Sequence, residues 1–381
     1  MPRMQRLLIL LAAAAVMLAA ASPAEAAKRK VPRAFYGVMW DRAATLAPPA
    51  EQEQQWSLMA RSGVEGVRTV FNWALAQPQP GVLDFAYTDR LVTLAAARNI
   101  ELLPVVRTTP TWAKLDPFAT GSPPKNVADF AVYLQALVQR YGPAGSFWAE
   151  HPELPKRPLR RWQIWNEPHL QVWWNTDGRS PNAWAPEYAR LLKGSRAAIK
   201  AVDPGATIVL AALADYAWDH LARLNRSRIG RHYDVAALNL FTARPELVMK
   251  GVRLFRRAMS RGGARRKPAW LTEATWPAGK GRVSRPTAAW QRAWYTTDTG
   301  MARRLRGVYA TAAKNKRKLR IGRVYWYTWA SAYSENDLFD YGGLIRYSGG
   351  TYEERPALAA YAASARRHQG CTKTSAGVCR R

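Results

Sequence analysis

Eight short apolar segments that favour β-strands alternate along this chain with longer segments of helical periodicity. The strand segments cover residues 34–40, 64–73, 100–107, 162–165, 206–213, 233–241, 269–272 and 322–329. Regular alternation predicts a parallel sheet, because each helix returns the chain to the same edge. Eight units favour a closed (β/α)8 TIM barrel in a single α/β domain, with an open doubly wound sheet as the alternative. No Gly-rich phosphate-binding turn follows a strand, which argues against a nucleotide-binding sheet.

The helical segments place apolar residues three, four and seven positions apart, the spacing of one buried helix face. They cover residues 51–62, 87–98, 130–141, 188–202, a short segment near 220, 247–259, 290–313 and 356–365. These amphipathic helices are expected to cover the outside of the barrel.

The first 26 residues have the pattern of a secretory signal peptide. Arg3 and Arg6 precede an apolar run over residues 7–21, and Ala24-Glu25-Ala26 supplies a small-x-small cleavage pattern. An uncleaved membrane anchor is the alternative, but the apolar run is shorter than the roughly 20 residues of a spanning helix. We therefore expect a secreted, extracellular protein.

The predicted barrel domain occupies residues 27–370, and a short basic tail follows at 371–381. The chain has two cysteines, Cys371 and Cys379, both in this tail. In an exported protein they are expected to form a disulfide. The five histidines show no ligand spacing, so we expect neither a metal nor another cofactor.

The chain is strongly basic, with 57 Lys+Arg against 27 Asp+Glu and a formal net charge of +30. Its 48% hydrophobic content nevertheless excludes a disordered chain. The basic runs at 253–267 and 314–320 lie on or beside outer helices, without a nucleic-acid-binding motif. We expect a monomer with no nucleic-acid partner, and hypothesise electrostatic association with an anionic cell envelope or acidic glycan.

Seven of the 17 tryptophans lie at or just past the C-terminal end of a different predicted strand. They are Trp40, Trp73, Trp112, Trp165, Trp218, Trp276 and Trp329, with Phe241 at the sixth strand. In a barrel these strand ends form the active-site face. Flat apolar rings with an N–H at the edge suit sugar rings, so the pattern predicts a carbohydrate cleft. Packing in the core is the alternative for any single tryptophan.

Two glutamates follow strands at this same end. The fourth strand runs into Asn166-Glu167-Pro168, and the seventh runs through Thr272 into Glu273. Glycoside hydrolysis needs such a pair, because one carboxylic acid protonates the leaving oxygen while an ionised carboxylate attacks the anomeric carbon or activates water. A helix cap or an ion pair is the alternative role for either glutamate.

These motifs resemble the signature of glycoside hydrolase clan A, whose members are retaining (β/α)8 enzymes. The resemblance extends from about Phe35 to Ala365, and segments 81–89 and 104–113 are similar to the second and third units of families 39 and 5. It implies a β-glycosidase that hydrolyses O-glycosidic bonds of a poly- or oligosaccharide by a two-glutamate double displacement.

The resemblance also implies residue roles. Glu167 would be the acid/base and Glu273 the nucleophile, Asn166 would bind the sugar 2-hydroxyl, Arg68 would keep the nucleophile ionised, and Trp329 would lie under the reacting sugar. An adjacent arginine would lower the pKa of the nucleophile, whose negative charge would raise the pKa of the acid. Retention requires the two carboxyl groups to be about 5 to 5.5 Å apart.

Other strand-end residues complete the predicted cleft. Trp112, Trp276 and Asn239 are assigned to substrate binding. His169 and the pair Trp173-Trp174 follow the acid/base motif, and they either shape a subsite or pack the loop.

The sixth strand departs from the clan pattern. Where the clan often has His-x-Tyr, with the tyrosine bonded to the nucleophile, this chain has Asn239-Leu240-Phe241. Phenylalanine cannot donate that bond, so Tyr327 or Tyr216 would have to support the nucleophile, or the activity would be slow or altered. A catalytically inactive carbohydrate-binding barrel on an anionic cell surface is the alternative function.

Overall fold

Eight parallel strands form the centre of the molecule. The computed structural model describes residues 28–40, 47–283, 289–332, 339–348, 351–370, 372–373 and 379–380. The strands are β1 (Tyr36–Met39), β2 (Gly66–Asn72), β3 (Glu101–Arg107), β4 (Arg161–Ile164), β5 (Thr207–Val209), β6 (Ala236–Asn239), β7 (Ala269–Ala274) and β8 (Ile321–Tyr327).

The sheet closes into a barrel. Its strand order is β5-β4-β3-β2-β1-β8-β7-β6, and parallel bridges Val209↔Val235 and Leu213↔Leu238 join the two ends. The predicted (β/α)8 barrel is therefore confirmed. An open doubly wound sheet would leave β5 and β6 as unpaired edges, whereas these bridges join them, so the open sheet is excluded.

Helices surround this barrel in the predicted alternation. They are α1 (Pro49–Arg61), α2 (Trp73–Ala76), α3 (Ala86–Ala97), α4 (Val127–Tyr141), α5 (Ser146–Glu150), α6 (Trp184–Val202), α7 (Ala217–Asn225), α8 (Pro245–Arg261), α9 (Ala289–Trp294), α10 (Asp298–Asn315) and α11 (Pro356–Gln369). Within the described ranges, no helix has the length and apolarity needed to cross a membrane.

The single long helix predicted over residues 290–313 is two helices in the structure. The break lies between α9 and α10, where the Thr297 side chain accepts a hydrogen bond from the Gly300 backbone N–H at 3.1 Å. A threonine hydroxyl at this position satisfies an N–H that has no partner within the helix. The cap therefore starts a new helix inside a segment whose periodicity looks continuous.

The last strands are short and lie outside the barrel. β9 (Ala330–Ser331), β10 (Ile345–Ser348) and β11 (Thr351–Glu354) form a three-stranded sheet after β8, and β12 (Thr372–Lys373) pairs with β13 (Cys379–Arg380). The predicted signal peptide lies outside the described residues, as does Cys371 of the predicted disulfide.

Apolar side chains from the strands and from residues that flank them form a second, smaller core cluster inside the barrel. It consists of Leu103, Val209, Ala212, Val235, Ala237, Trp270 and Tyr325, all buried. Gly37 of β1 allows this packing, since a Cβ there would lie 2.5 Å from a Tyr325 ring carbon. The polar residues nearer the C-terminal ends of the strands form the site described next.

Candidate active site

The predicted site residues meet at the C-terminal mouth of the barrel. Arg68 comes from β2, Asn166 and Glu167 follow β4, Asn239 ends β6, and Glu273 lies in β7. All five residues are buried, and none is more than 8% exposed. Because buried polar groups need partners, their hydrogen bonds define the site.

Arg68 is the centre of the first half of the network. Its Nη1 donates to Glu273 Oε1 at 2.6 Å, its Nη2 donates to Asn166 Oδ1 at 2.7 Å, and its Nε donates to Gln163 Oε1 at 2.9 Å. The guanidinium is completely buried and places a fixed positive charge beside Glu273. Such a neighbour favours the ionised carboxylate, the form that a nucleophile requires.

The contact with Arg68 also orients Asn166. A guanidinium can only donate hydrogen bonds, so Asn166 must turn its carbonyl oxygen toward it. The Asn166 amide nitrogen has no hydrogen bond to any described residue. It is therefore a donor available to a ligand hydroxyl.

Glu167 is the centre of the second half of the hydrogen-bond network. Its Oε1 accepts from Asn239 Nδ2 at 2.7 Å, and its Oε2 accepts from Trp173 Nε1 at 3.1 Å. Asn239 is oriented in turn, because its Oδ1 accepts from the Thr272 hydroxyl at 2.8 Å. Asn239 also pairs in register with Glu273 across β6 and β7, so the two carboxylates belong to one connected site.

The pKa of Glu167 is raised above its ordinary value of 4.5. Burial is the largest cause, and the nearby charge of Asp215 adds to it, while the donors Asn239 and Trp173 and the charge of Arg68 act in the opposite direction. From the sequence, the charge of the nucleophile is the expected cause of this rise. In the structure the main cause is desolvation, which disfavours a buried carboxylate.

The strand-end tryptophans differ most from expectation. Trp329 and Trp276 are completely buried; Trp329 donates to Gln55 Oε1 at 3.0 Å, and Trp276 donates to the Thr242 carbonyl. A stacking platform must present a ring face to its ligand, and these two rings have no exposed face. They fill the space between the strands and the outer layer, so the structure does not support their assignment to substrate binding.

Only Trp112 and Trp218 of the seven strand-end tryptophans are partly exposed. Trp112 donates its N–H to the Gln77 carbonyl at 3.0 Å and packs edge-on against Trp73. It remains a candidate for substrate contact. The predicted carbohydrate cleft is therefore lined by fewer tryptophans than the strand ends suggested.

The loop after Glu167 contributes a residue whose role the sequence left open. Trp173 is half-buried and donates its indole N–H to Glu167, and the Arg107 guanidinium lies over its ring, 4.4 Å from the ring centroid. Trp174 is buried and donates instead to Glu187 at 2.8 Å. Trp173 thus belongs to the site, whereas Trp174 packs the loop.

His169 follows the acid/base motif and faces a second histidine. Its ring lies 4.1 Å from the ring of His220 in a stacked arrangement. Burial first, and then the charge of His220, lower the pKa of His169 to about 3. His169 is therefore neutral at physiological pH, and its ring packs against His220 and Trp184.

Phe241 lies in an aromatic cluster at the end of β6. Its ring centroid is 4.8 Å from that of Phe339, 5.8 Å from Trp294 and 6.4 Å from Tyr327. Of the two tyrosines considered as replacements, Tyr216 is 68% exposed and packs edge-on against Trp218, away from the buried network. Tyr327, at the end of β8, is the one that lies beside Phe241.

No group of three or more His, Cys, Asp or Glu side chains in the described part of the chain is arranged to hold a metal ion. The chemistry available at this mouth is that of two carboxylates, an arginine, two amides and an indole.

Comparison with known proteins gives matches of two kinds. Residues 45–128 match the glycoside hydrolase family 42 model, described as β-galactosidase, over the part of the barrel from α1 to the start of α4. No curated protein matches the chain in sequence.

Solved structures match nearly the whole chain. A monomeric β-xylosidase from Caulobacter crescentus CB15 is 19% identical with a TM-score of 0.61, over 88% of this chain and 69% of its own. A family 39 glycoside hydrolase from Bacteroides cellulosilyticus WH2 is 17% identical with a TM-score of 0.62, over 90% and 65%. The exo-β-1,4-mannosidase Op5Man5 from Opitutaceae bacterium strain TAV5 is 16% identical with a TM-score of 0.58, over 91% and 62%. The chain therefore shares the (β/α)8 barrel fold of these glycosidases.

Proposed function

We propose that this protein is a retaining β-glycosidase that hydrolyses O-glycosidic bonds of a poly- or oligosaccharide. The observation that carries the proposal is the position of Arg68, which holds Glu273 and Asn166 at one barrel mouth while Asn239 links the same strand ends to Glu167. Hydrolysis with retention needs an ionised nucleophile and a protonated acid in one cleft. The charge of Arg68 favours the ionised form of Glu273, and the burial of Glu167 favours its protonated form, which supports this division of roles.

In the first step the Glu273 carboxylate attacks the anomeric carbon and forms a covalent ester. Glu167 transfers its proton to the glycosidic oxygen, so the leaving sugar departs as a neutral alcohol. The free amide N–H of Asn166 would donate to the sugar 2-hydroxyl next to the reacting carbon.

In the second step Glu167 acts as the base. Now ionised, it takes a proton from a water molecule, whose oxygen attacks the anomeric carbon and releases the Glu273 carboxylate. The Asn239 and Trp173 donors stabilise the negative charge that Glu167 carries between the two steps. Two inversions return the original anomeric configuration.

The comparisons support a β-linked glycan as substrate. The matching structures include a β-xylosidase and an exo-β-1,4-mannosidase, and the partial sequence match is to a family described as β-galactosidase. We further propose that residues 1–26 direct secretion, which N-terminal sequencing of the mature protein tests; a mature chain that still begins at Met1 would contradict it.

A panel of β-linked glycans and 4-nitrophenyl β-glycosides tests the activity. Glu167→Ala and Glu273→Ala should each abolish release of reducing sugar from glycans, while Glu153→Ala, an exposed glutamate paired with His151, should not. Binding of glycans without turnover by the unmodified protein would overturn the proposal in favour of an inactive binding barrel.

Reaction with azide distinguishes the acid/base role of Glu167 from the nucleophile role of Glu273. Glu167→Ala should still form the covalent intermediate from 4-nitrophenyl substrates, whose leaving group needs no proton, and azide should then yield a β-glycosyl azide. Glu273→Ala should yield an α-glycosyl azide, because azide replaces the nucleophile itself. The reverse pattern would show that the two assignments are exchanged.

A further inference from the structure

A cavity of about 310 Å³ lies at the opposite end of the barrel from the two glutamates. It is open to solvent and is bounded by the inner face of α3, the start of β3 and the segment that leads into β4. Its polar lining consists of five basic side chains and one carboxylate: Arg33, Lys156, Arg157, Arg160, Arg161 and Glu101.

The one carboxylate in this cavity is already shared by three arginines. Glu101 accepts from Arg323 at 2.6 Å and from Arg161 at 3.0 Å through Oε2, and Arg33 Nε lies 3.3 Å from its Oε1. Burial opposes ionisation of Glu101, but these arginines keep its pKa below the ordinary value. A single negative charge therefore balances only one of three positive charges.

The remaining cations have no counter-charge. Lys156, Arg157 and Arg160 are exposed, and none of them forms an ion pair with a residue that the structure describes. Burial first, and then the like charges of Arg323 and Arg160, lower the pKa of Arg161. An anion placed among these side chains would relieve this repulsion.

The geometry points to a binding site for a phosphate or sulfate group at this end of the barrel. Guanidinium groups donate paired hydrogen bonds that match tetrahedral oxyanions, and Lys156 adds a point charge at the rim. The cavity is larger than one such group, which leaves room for the residue to which the group is esterified. The ligand class is therefore a phosphate or sulfate, either free or as an ester on a polymer.

This site is independent of the proposed hydrolysis. Glu101 and Arg161 begin β3 and β4, whereas Glu167 and Glu273 lie at or beyond the opposite ends of their strands. A ligand bound here would tether the protein to an anionic polymer while leaving the barrel mouth open.

Calorimetric titration of the whole protein at low ionic strength tests the site, with inorganic phosphate, dextran sulfate and uncharged dextran as probes. The double variant Lys156→Gln/Arg157→Gln should weaken binding about tenfold or more, because the loss of even one charge-assisted hydrogen bond contributes about that factor. The matched control is Lys250→Gln/Arg253→Gln on the exposed face of α8, which removes the same two charges elsewhere. Circular dichroism melting checks that both variants fold.

The outcomes are distinct. Saturable 1:1 binding of inorganic phosphate that only the cavity variant loses supports a site for the free anion, and much tighter binding of dextran sulfate supports a polymeric ester. Equal weakening by the two variants would reduce the effect to net charge and overturn the site, as would the absence of binding by either anion. Both variants should retain the glycosidase activity of the unmodified protein, so failure of the proposed function would not be mistaken for failure of this site.

Discussion

Replacement of Trp173 by phenylalanine tests how the site controls the proton on Glu167. The substitution removes the indole N–H that donates to Glu167 Oε2 at 3.1 Å and keeps an aromatic ring below Arg107. A hydrogen bond to a charged group contributes about 1.5–3 kcal/mol, and about 1.36 kcal/mol corresponds to one pKa unit. Since Trp173 is half-buried and water can partly replace its N–H, we expect the pKa of Glu167 to rise by about one unit.

The pH dependence of kcat/KM measures this change. In the proposed mechanism Glu167 is protonated in the first step, so activity toward a glycan with a poor leaving group should fall as pH rises through the pKa of Glu167. In Trp173→Phe this alkaline limb should move to higher pH, while the acidic limb, which reports the nucleophile, stays in place. The base step should slow, because the ionised form of Glu167 has lost a donor.

Trp174→Phe is the matched control. Trp174 lies next in the chain and is more deeply buried, but its N–H donates to Glu187 rather than to Glu167. The alkaline limb of the kcat/KM profile of Trp174→Phe should match that of the unmodified protein. An alkaline limb that does not move in Trp173→Phe, or that moves equally in both variants, would refute the assignment of this hydrogen bond to the ionised acid/base.

Three further predictions concern stability. Arg68→Met should destabilise the fold by about 3–5 kcal/mol in urea unfolding, because it leaves a buried carboxylate without its counter-charge; a loss below 1 kcal/mol would contradict the buried pair. Gly37→Ala should destabilise it by about 1–3 kcal/mol, since the added Cβ meets the Tyr325 ring, and an unchanged melting temperature would contradict that contact. Because the pKa of Glu167 is raised in the folded protein, its contribution to stability is present below pH 4.5 and is lost as pH rises through the raised pKa. Glu167→Gln should therefore gain stability relative to the unmodified protein as pH rises from 4.5 through that raised pKa. A pH-independent difference in unfolding free energy between the two proteins would refute this.

The barrel could be predicted from local patterns because strand and helix periodicities need only neighbouring residues. The eight units, their order and the end of the barrel that carries Glu167 and Glu273 all follow from that alternation. The break before Asp298 could not be found in the same way, because apolar periodicity continues across it and only the Thr297 cap marks the new helix. Local pattern thus defines which elements form more reliably than where they stop.

Side-chain roles at the mouth depended on contacts between distant parts of the chain. The Trp329 ring is covered because its N–H reaches Gln55, 274 positions away, and no feature near Trp329 indicates this. Trp173 enters the site for the opposite reason, since its loop turns back toward Glu167 only six positions earlier. A tryptophan at a strand end can pack inward or outward, and the surrounding elements decide which.

The sequence by itself determined the fold class and the two carboxylates, because parallel strands bring residues that follow them to one mouth whatever their separation along the chain. Only the tertiary structure decided which groups surround those carboxylates. Arg68 reaches Glu273 across 205 positions, and the burial that raises the pKa of Glu167 is a property of everything packed around it. The same holds for the net charge of +30, which becomes a candidate binding site only where folding gathers five cations around one shared carboxylate.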